Sequence, residues 1–356
     1  MQSDNEIVIV INPGSTSTKY ALWSRKGCVR ESVVRHDPDQ LVSEIIEQLD
    51  YRRTLIDEDL DKDIDQYKVV GVSGRGGLLK PLKGGTYRVN QQMLDDLKSG
   101  LTGIHASNLG AVLANHYANR FGVEAFIVDP VTVDEFEDVA RISGVPWIVR
   151  KSRAHALNIK AVVRRATAKL NVELSESRFV VAHLGGGISI AAVRGCRIID
   201  VNDAMLGMGP FSPARAGALP IGPLIERCFS GEVTEQELMK ELSQKGGLEA
   251  YCGTSDAREV VERAEKGDRT AENALNAMIY QIAKEIGAMS AVLKGRLDAV
   301  VVTGGLAHAQ ELMTKLKPYV ASLAPFVVFP GEGELQALAE GAFRTIDRIE
   351  SAHEYI

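Results

Sequence analysis

Apolar and polar positions in the first half of the chain follow two periods, one typical of strands and one typical of helices. Runs rich in β-branched residues, each ending at turn-forming residues, predict strands over 7–11, 19–23, 67–74 and 124–128. Apolar residues spaced three and four positions apart predict helices over 105–121 and 151–169. Another helix is predicted to start at Pro38, with Leu41, Ile45, Ile46 and Leu49 along one face.

The second half repeats the pattern with which the chain opens. Strands are predicted over 179–193, interrupted by a turn of small residues, and over 195–201, 297–305 and 326–329. Helices are predicted over 235–243, 271–294, 306–317 and 333–349. Thr234 and Glu237 have the spacing of a capping box for the first of these helices.

Each half begins with a strand, a glycine-containing turn and a second strand, and strands and helices alternate afterwards. This order predicts an α/β protein with a duplicated architecture, in which helices cover both faces of each sheet. The halves are expected to meet near residues 150–175, and a cleft between them is the expected ligand site.

Composition and charge exclude several classes of function. The chain of 356 residues is 45% hydrophobic and 25% charged, with a formal net charge of −6 and a pI of about 5.8. A nucleic-acid partner is therefore not expected, although a local basic cleft for phosphates is compatible with these values. No run approaches the roughly 18 to 20 apolar residues of a membrane span. The acidic segment 1–6 does not resemble a secretory n-region, so a cytoplasmic protein is expected.

The first turn, Asn12-Pro13-Gly14-Ser15-Thr16-Ser17-Thr18-Lys19, carries more polar groups than a hairpin needs. Gly14 allows close approach to the backbone, and successive turn amides, four hydroxyl groups and Lys19 form a candidate anion cradle. The turn lacks the second glycine of a P-loop, and a plain β-hairpin remains the alternative.

Two further glycine turns follow apolar strands. In "AHLGGGISI" (182–190), His183 ends a strand and Gly185, Gly186 and Gly187 follow it, which indicates close approach of a ligand or a tight structural turn. In "VVVTGGLAH" (300–308), Gly304 and Gly305 precede a predicted helix, whose N-terminal amides suit a nucleotide phosphate.

Two arginines and three carboxylates are candidates for ligand chemistry. Arg75 lies between glycines in "SGRGG", and Arg215 lies in the loop "FSPARAGALP"; guanidinium groups bind carboxylates and phosphates bidentately. Asp129 ends a strand before Pro130. Glu332 and Glu334 precede or begin the last helix, where acids either complement the helix dipole or hold Mg²⁺.

Taken together, these motifs resemble the butyrate kinases of the acetate/butyrate kinase family, within the superfamily of sugar kinases, heat-shock-70 proteins and actin. The resemblance covers essentially the whole chain. It is carried by "INPGSTSTK", "SGRGGLLKPLKGGTY", "GIHASNLGA", "VDPVTVDEF", "HLGGGIS", "GPFSPARAGALP" and "VVTGGLAH".

The resemblance implies two ribonuclease-H-like (actin-like ATPase) domains, each with a mixed sheet flanked by helices. Residues 1–150 with about 335–356 would form the lobe for the acyl substrate and phosphate, and about 151–334 the nucleotide lobe. It also implies Mg²⁺-dependent, reversible transfer of a phosphoryl group from ATP to a short-chain fatty acid, and a homodimer or larger homo-oligomer.

By position, the resemblance implies roles for individual residues. Asn12, Ser15, Ser17 and Lys19 would line the phosphate and magnesium region, and Gly185–Gly187 and Gly304–Gly305 would approach the nucleotide. Arg75 would bind the substrate carboxylate, Asp129 would be the catalytic aspartate, and His183 and Arg215 would contact the transferred group. Glu334 would be the late metal-associated glutamate together with Asn12, with Glu332 as the competing choice.

The chain departs from the acetate kinase pattern at two stretches. "KSRAH" (151–155) stands where acetate kinases have His-Gly-Thr-Ser-His, and Gly186 stands where they have asparagine. Both differences favour the butyrate branch. A sugar or polyol kinase and a nucleotide-switched binding protein of the same superfamily are the alternatives.

Overall fold

The computed structural model describes residues 5–42 and 44–356. Residues 1–4, which hold most of the acidic N-terminal segment, and Ser43 lie outside the described residues. The chain forms two compact units, the first comprising the chain up to Val133 together with Gly333–Ile356, and the second comprising Asp134–Glu332.

The first boundary lies earlier than the sequence-based division at residue 150, because the segment after Val133 bonds to the second unit. The Glu137 amide donates to the Ile199 carbonyl at 3.1 Å, and Arg150 Nη2 lies 2.7 Å from Asp200 Oδ1.

The first unit contains a six-stranded mixed sheet. Its strands are β1 Glu6–Pro13, β2 Ser17–Ser24, β3 Gly27–Arg35, β4 Lys68–Arg75, β5 Thr86–Arg88 and β6 Ala125–Val128. They lie in the order β3-β2-β1-β4-β6-β5. The β1–β4 and β4–β6 pairs are parallel, so β1, β4 and β6 end at the same edge of the sheet.

The second unit contains a five-stranded mixed sheet with a matching strand order. Its strands are β7 Arg178–Leu184, β8 Ile188–Arg194, β9 Arg197–Val201, β10 Ala299–Gly304 and β11 Phe326–Pro330, in the order β11-β10-β7-β8-β9. In both units the first three strands form an antiparallel meander, and two strands then pair in parallel beside the first. The predicted duplicated α/β architecture is confirmed.

Helices flank both sheets. In the first unit they are α1 Leu49–Leu60, α2 Gln91–Ser99 and α3 Asn108–Phe121. In the second unit they are α4 Asp138–Arg141, α5 Ala156–Leu170, α6 Ile221–Phe229, α7 Glu235–Gln244, α8 Gly247–Cys252, α9 Ala257–Glu265, α10 Arg269–Val292 and α11 Gln310–Val320. The last helix, α12 Glu334–Ile346, returns to the first unit.

Among the described residues, no helix combines the length and apolar character that crossing a bilayer requires.

Alternating side chains of each buried strand reach the helices on the two faces of the sheet. In the first unit, Ile7, Ile9 and Ile11 pack with residues of α1 and α3, while α12 contacts β1 and β4. In the second unit, α10 packs against β7 and β8, and its apolar stripe is buried in the core as the sequence pattern predicted. The capping box of Thr234 and Glu237 is also confirmed.

The predicted helix from Pro38 is wrong. The segment forms two short 3₁₀ turns, Pro38–Gln40 and Ile45–Gln48, and the α-helix begins only at Leu49. The Gln48 side-chain amide donates to the Val42 carbonyl at 2.6 Å, which occupies an acceptor that a continuous helix would use for its own backbone. Ile45, Ile46 and Leu49 still pack against the core.

Candidate active site

The turn between β1 and β2 places its polar groups at the carboxyl end of β1. The Gly14 amide donates to the Ser17 carbonyl at 2.7 Å and closes the turn, and Ser15 is exposed. Asn12 and Lys19 are direct partners across the antiparallel pair, so their side chains lie on the same face of the sheet. The turn therefore presents hydroxyl, amide and ammonium groups together.

Asn12, Arg75 and Glu334 form one hydrogen-bonded cluster in the first unit. Asn12 Nδ2 donates to Glu334 Oε2 at 2.6 Å, and Arg75 Nη1 forms an ion pair with Glu334 Oε1. Arg75 ends β4, which lies beside β1, and Glu334 is the first residue of α12, so the fold brings the three side chains to one edge. Of the two candidate glutamates, Glu334 joins this cluster, whereas the Glu332 side chain is exposed.

Asp129 follows β6 at the same edge of the sheet, with a backbone conformation that non-glycine residues rarely adopt. Its φ is 40°, and the residue is buried. Its Oδ1 accepts a hydrogen bond from the Gly85 amide at 2.7 Å, while its own amide donates to the Gly85 carbonyl at 3.0 Å. A strained residue held by two such bonds keeps its carboxylate in a fixed position.

The oxygen donors of the cluster suit Mg²⁺. Magnesium prefers carboxylate and amide oxygens and usually keeps several waters, being held by one or two carboxylates and by substrate phosphates. The Asn12 amide gives its N–H to Glu334, which leaves Asn12 Oδ1 as an acceptor. Among the described residues, no group of three or more His, Cys, Asp or Glu side chains could enclose a metal. Asn12 and Glu334 therefore fit a magnesium ion that arrives with phosphates.

The segment that leads into α3 lines a small apolar cavity. Burial, together with the positive charge of Arg75, lowers the pKa of His105 below its usual value. Ile104, the preceding residue, is 62% exposed and lines a cavity of about 20 Å³. Most of the cavity lining is aliphatic, and the lining residues are Glu44, Ile45, Ile46, Leu97, Lys98, Ile104, Asn108 and Leu109. The cavity is therefore mostly apolar, and Arg75 is not among its lining residues.

In the second unit, Asn158 fixes the orientation of His183 at the end of β7. Asn158 Nδ2 donates to the Glu332 carbonyl, which identifies its other amide atom, Oδ1, as an acceptor. Oδ1 lies 2.7 Å from His183 Nδ1, so Nδ1 carries the proton. His183 Nε2 can therefore donate to a ligand only when the ring is doubly protonated. The His155 ring stacks on His183 with 3.9 Å between the ring centroids.

The turn after His183 is shaped around Arg215. The Gly185 amide donates to the Gly187 carbonyl at 3.2 Å, and the Ser212 hydroxyl donates to the Gly186 carbonyl at 2.7 Å. Arg215 Nη1 donates to the Ala204 carbonyl. Burial lowers the pKa of the Arg215 guanidinium, although the charge of Asp203 opposes this effect. Arg215 is thus a partly desolvated cation beside a glycine turn.

The third glycine turn has the conformation that requires glycine. Gly304 ends β10 with φ 90°, and a Cβ there would lie 2.3 Å from the Leu184 carbonyl oxygen. Its amide and carbonyl both pair with Gly331. Gly305 begins a 3₁₀ turn, Gly305–His308, and α11 starts only at Gln310, so the predicted helix from 306 to 317 is divided into two segments.

Two residues that the sequence analysis did not single out anchor candidate site residues. Asn158 bonds His183, and Arg52 of α1 bonds the carbonyls of Gly14 and Ser15. A polar residue on an otherwise buried helix face was the available signal for Asn158, since Ala161 and Val162, three and four residues later, are core residues.

Comparisons with known proteins identify the family and the fold of the chain. The model of the Acetokinase family matches residues 137–320, slightly more than half of the chain. The fold is similar to that of an acetate kinase from Porphyromonas gingivalis, with a TM-score of 0.77 and 19% identity, covering 95% of this chain and 99% of that one.

Two further solved structures have the same fold. They are an acetate kinase from Entamoeba histolytica (TM-score 0.74, 18% identity, 95% and 99% covered) and a propionate kinase from Francisella tularensis (TM-score 0.70, 21% identity, 94% and 98% covered). These identities support the shared fold, and the family match supplies the assignment. The chain belongs to the acetokinase family, whose kinases transfer a phosphoryl group from ATP to a carboxylate.

Proposed function

We propose that this protein reversibly transfers the γ-phosphoryl group of ATP to butyrate or a related short branched acid, giving an acyl phosphate and ADP. The observation that carries the proposal is the ion pair of Arg75 with Glu334 beside Asn12. A guanidinium that already binds a carboxylate at the edge of a phosphate-type turn suits an acid as the acceptor. A neutral sugar or polyol offers no such group to Arg75.

The residues of both units would act in this one reaction. Arg75 orients the substrate carboxylate, and Arg215, together with His183 in its doubly protonated form, stabilises the charge on the phosphoryl group during transfer. Asp129 orients the attacking group, and the turns at Gly185–Gly187 and Gly304–Gly305 approach the nucleotide. A fatty acid is ionised near pH 7, so the reaction requires no general base.

Asn12 and Glu334 would hold Mg²⁺, and Ser15, Ser17 and Lys19 would bind phosphate oxygens. The ion neutralises charge on the phosphates when it is bound. Bringing an anionic carboxylate to an anionic phosphate is unfavourable in a partly dry site, and cations reduce the repulsion. Arg75 and Arg215 would each supply a positive charge for this purpose.

The butyrate assignment is supported by the family resemblance and by the apolar cavity at the start of α3. The cavity of about 20 Å³ holds little more than one water molecule, so a longer alkyl chain would need the surrounding side chains, which include the exposed Ile104, to move. Each buried methylene contributes about 0.8 kcal/mol. The preference among C3 to C5 acids is therefore expected to be gradual.

A hydroxylamine trap tests this function. With ATP, Mg²⁺ and an acid, the acyl phosphate is captured as an acyl hydroxamate, and we expect kcat/KM to rise from acetate to butyrate by up to about fourfold per methylene. Reactions without acid are the control. ATP consumption with sugars, and no hydroxamate from any C2 to C5 acid, would contradict the proposal.

Replacing Gly187 with alanine is expected to lower kcat about tenfold, since a misplaced charge-stabilising donor loses part of its effect. A Cβ at Gly187 would lie 2.2 Å from Arg215 Nη1 and would displace the guanidinium without removing its charge. Steady-state kinetics with butyrate measures the effect.

Gly287→Ala is the matched control, because nothing lies within 4 Å of a Cβ at this position in α10. It should keep the wild-type kcat and raise the free energy of unfolding by about 0.5–1 kcal/mol. A wild-type kcat for Gly187→Ala would show that the position of the Arg215 guanidinium is unimportant.

A cytoplasmic location and assembly into a homodimer or larger oligomer remain predictions. The apolar side chains of Ile221, Ile225 and Phe229, spaced four residues apart on α6, are exposed and are compatible with self-association.

A further inference from the structure

Arg52 is a fully buried arginine whose hydrogen-bond acceptors are all neutral. Its guanidinium donates to Gln48 Oε1, to the Gly14 carbonyl at 2.8 Å, to the Ser15 carbonyl at 3.3 Å and to Thr18 Oγ1 at 3.2 Å. Within residues 5–42 and 44–356, it forms no ion pair with a carboxylate. Buried charges are normally paired, because burying one alone is unfavourable.

The neighbouring His36 does not neutralise this charge. His36 Nε2 lies 2.9 Å from Thr18 Oγ1, and burial together with the charge of Arg52 lowers the pKa of His36 to about 4. His36 is therefore neutral at pH 7 and does not balance the positive charge of Arg52. The electric field of this charge acts on the turn that Arg52 contacts through the carbonyls of Gly14 and Ser15.

The contacts of Arg52 also determine which way the turn amides face. In a trans peptide the carbonyl of one residue and the amide N–H of the next lie on opposite sides. Because the carbonyls of Gly14 and Ser15 face Arg52, the amides of Ser15 and Thr16 face away from it. Ser15 and Thr16 are exposed, and in the described part of the chain neither amide has a protein acceptor.

We infer that Arg52 is a positioning residue, which orients the amides of Ser15 and Thr16 toward a phosphate and places an unneutralised positive charge behind them. The inference rests on the proposed function only in taking the phosphates to be those of ATP. Arg52 itself is too deeply buried to touch the ligand; it acts through the turn backbone and through its field. The sequence gives no hint of this role, since Arg52 and Arg53 are adjacent in a polar helix.

The first test replaces Gln48, which contacts Arg52, and measures ATP binding by calorimetry in the absence of any carboxylic acid substrate. Gln48→Glu introduces a carboxylate beside Arg52, and Gln48→Met is its neutral control; both lose the Gln48 contact to the Val42 carbonyl. We expect Gln48→Glu to bind ATP about tenfold more weakly than Gln48→Met. The new carboxylate would neutralise the positive charge of Arg52, which lies only a few ångströms from the proposed phosphate position. Adenosine, which lacks phosphates, should bind both variants equally. Equal ATP affinities for the two variants would overturn the electrostatic part.

Arg52→Met tests the positioning part, with Arg52→Lys as the conservative variant. Arg52→Met should weaken ATP binding about 100-fold and leave adenosine binding unchanged, and Arg52→Lys, which keeps the charge but not the fork of donors, should recover part of the loss. Arg30→Met removes an arginine of the same unit that bonds Asp59 and Asp63 instead, so it should lower Tm without changing ATP affinity.

Wild-type ATP affinity in folded Arg52→Met would overturn the inference, and if that variant does not fold, the Gln48 pair still decides the electrostatic part. The proposed function can fail separately. A wild-type protein that binds ATP but forms no hydroxamate would contradict the function, whereas the binding measurements would still test Arg52.

Discussion

Arg215→Ala is expected to lower kcat for butyrate phosphorylation at least about 100-fold, the usual effect of removing one pre-oriented donor from a transition state. The guanidinium is held against Gly187 by the Ala204 carbonyl, and its partial burial reduces the screening of its charge by water. A cation fixed before the reaction needs no reorganisation when charge develops on the phosphoryl oxygens. We therefore expect KM for butyrate to change by less than about threefold, since the interaction belongs to the transition state.

The hydroxamate assay at saturating ATP and butyrate measures this effect. Arg258→Ala is the control, because Arg258 forms an exposed ion pair with Asp256 on the same unit and should keep wild-type kcat. Arg215→Lys should remain well below wild type, because an ammonium cannot replace the planar fork of donors. A fall in kcat of less than about threefold for Arg215→Ala would remove this residue from the transition state.

The fold was predictable because burial leaves a recognisable pattern of apolar residues in the sequence. Strands that are covered by helices on both faces appear as continuous apolar runs, and Ile7–Ile11 is such a run. The repeat of a strand, a small-residue turn and a strand at 179–193 then indicated duplication. The error at Pro38 arose because apolar spacing does not distinguish a helix from two short turns that bury the same residues.

Part of the candidate site was predictable for a related reason. Residues at the ends of buried strands, such as Arg75 at the end of β4 and Asp129 directly after β6, lie at one sheet edge when the strands are parallel. The contact of Asn12 with Glu334 was not predictable from spacing, because 322 residues separate them and only the return of α12 to the first unit brings them together. Arg52 was missed because its burial depends on the turn that it supports.

Arg75→Met is expected to raise KM for butyrate about 100-fold, since a paired guanidinium contributes charge-assisted hydrogen bonds that a neutral side chain cannot make. In the structure the Arg75 guanidinium binds one carboxylate oxygen of Glu334, and the other oxygen binds Asn12. A protein carboxylate therefore already occupies the position that we propose for the carboxylate of the substrate. In the proposed function Glu334 would hold Mg²⁺, and Arg75 would then be available to the acid. KM for ATP should change by less than about twofold, because the nucleotide makes no contact with Arg75 in this proposal.

Separate titrations of butyrate and ATP in the hydroxamate assay distinguish this role from a general loss of structure. Arg88→Met is the control in the same unit, since its guanidinium pairs with Glu124 and Glu354 at the surface and should leave both KM values unchanged. Arg75→Lys keeps a positive charge for Glu334 but offers only a point-like ammonium, so its KM for butyrate should lie between those of the wild type and Arg75→Met. A rise in KM for ATP with no change for butyrate would place Arg75 at the nucleotide and would contradict carboxylate recognition by this residue.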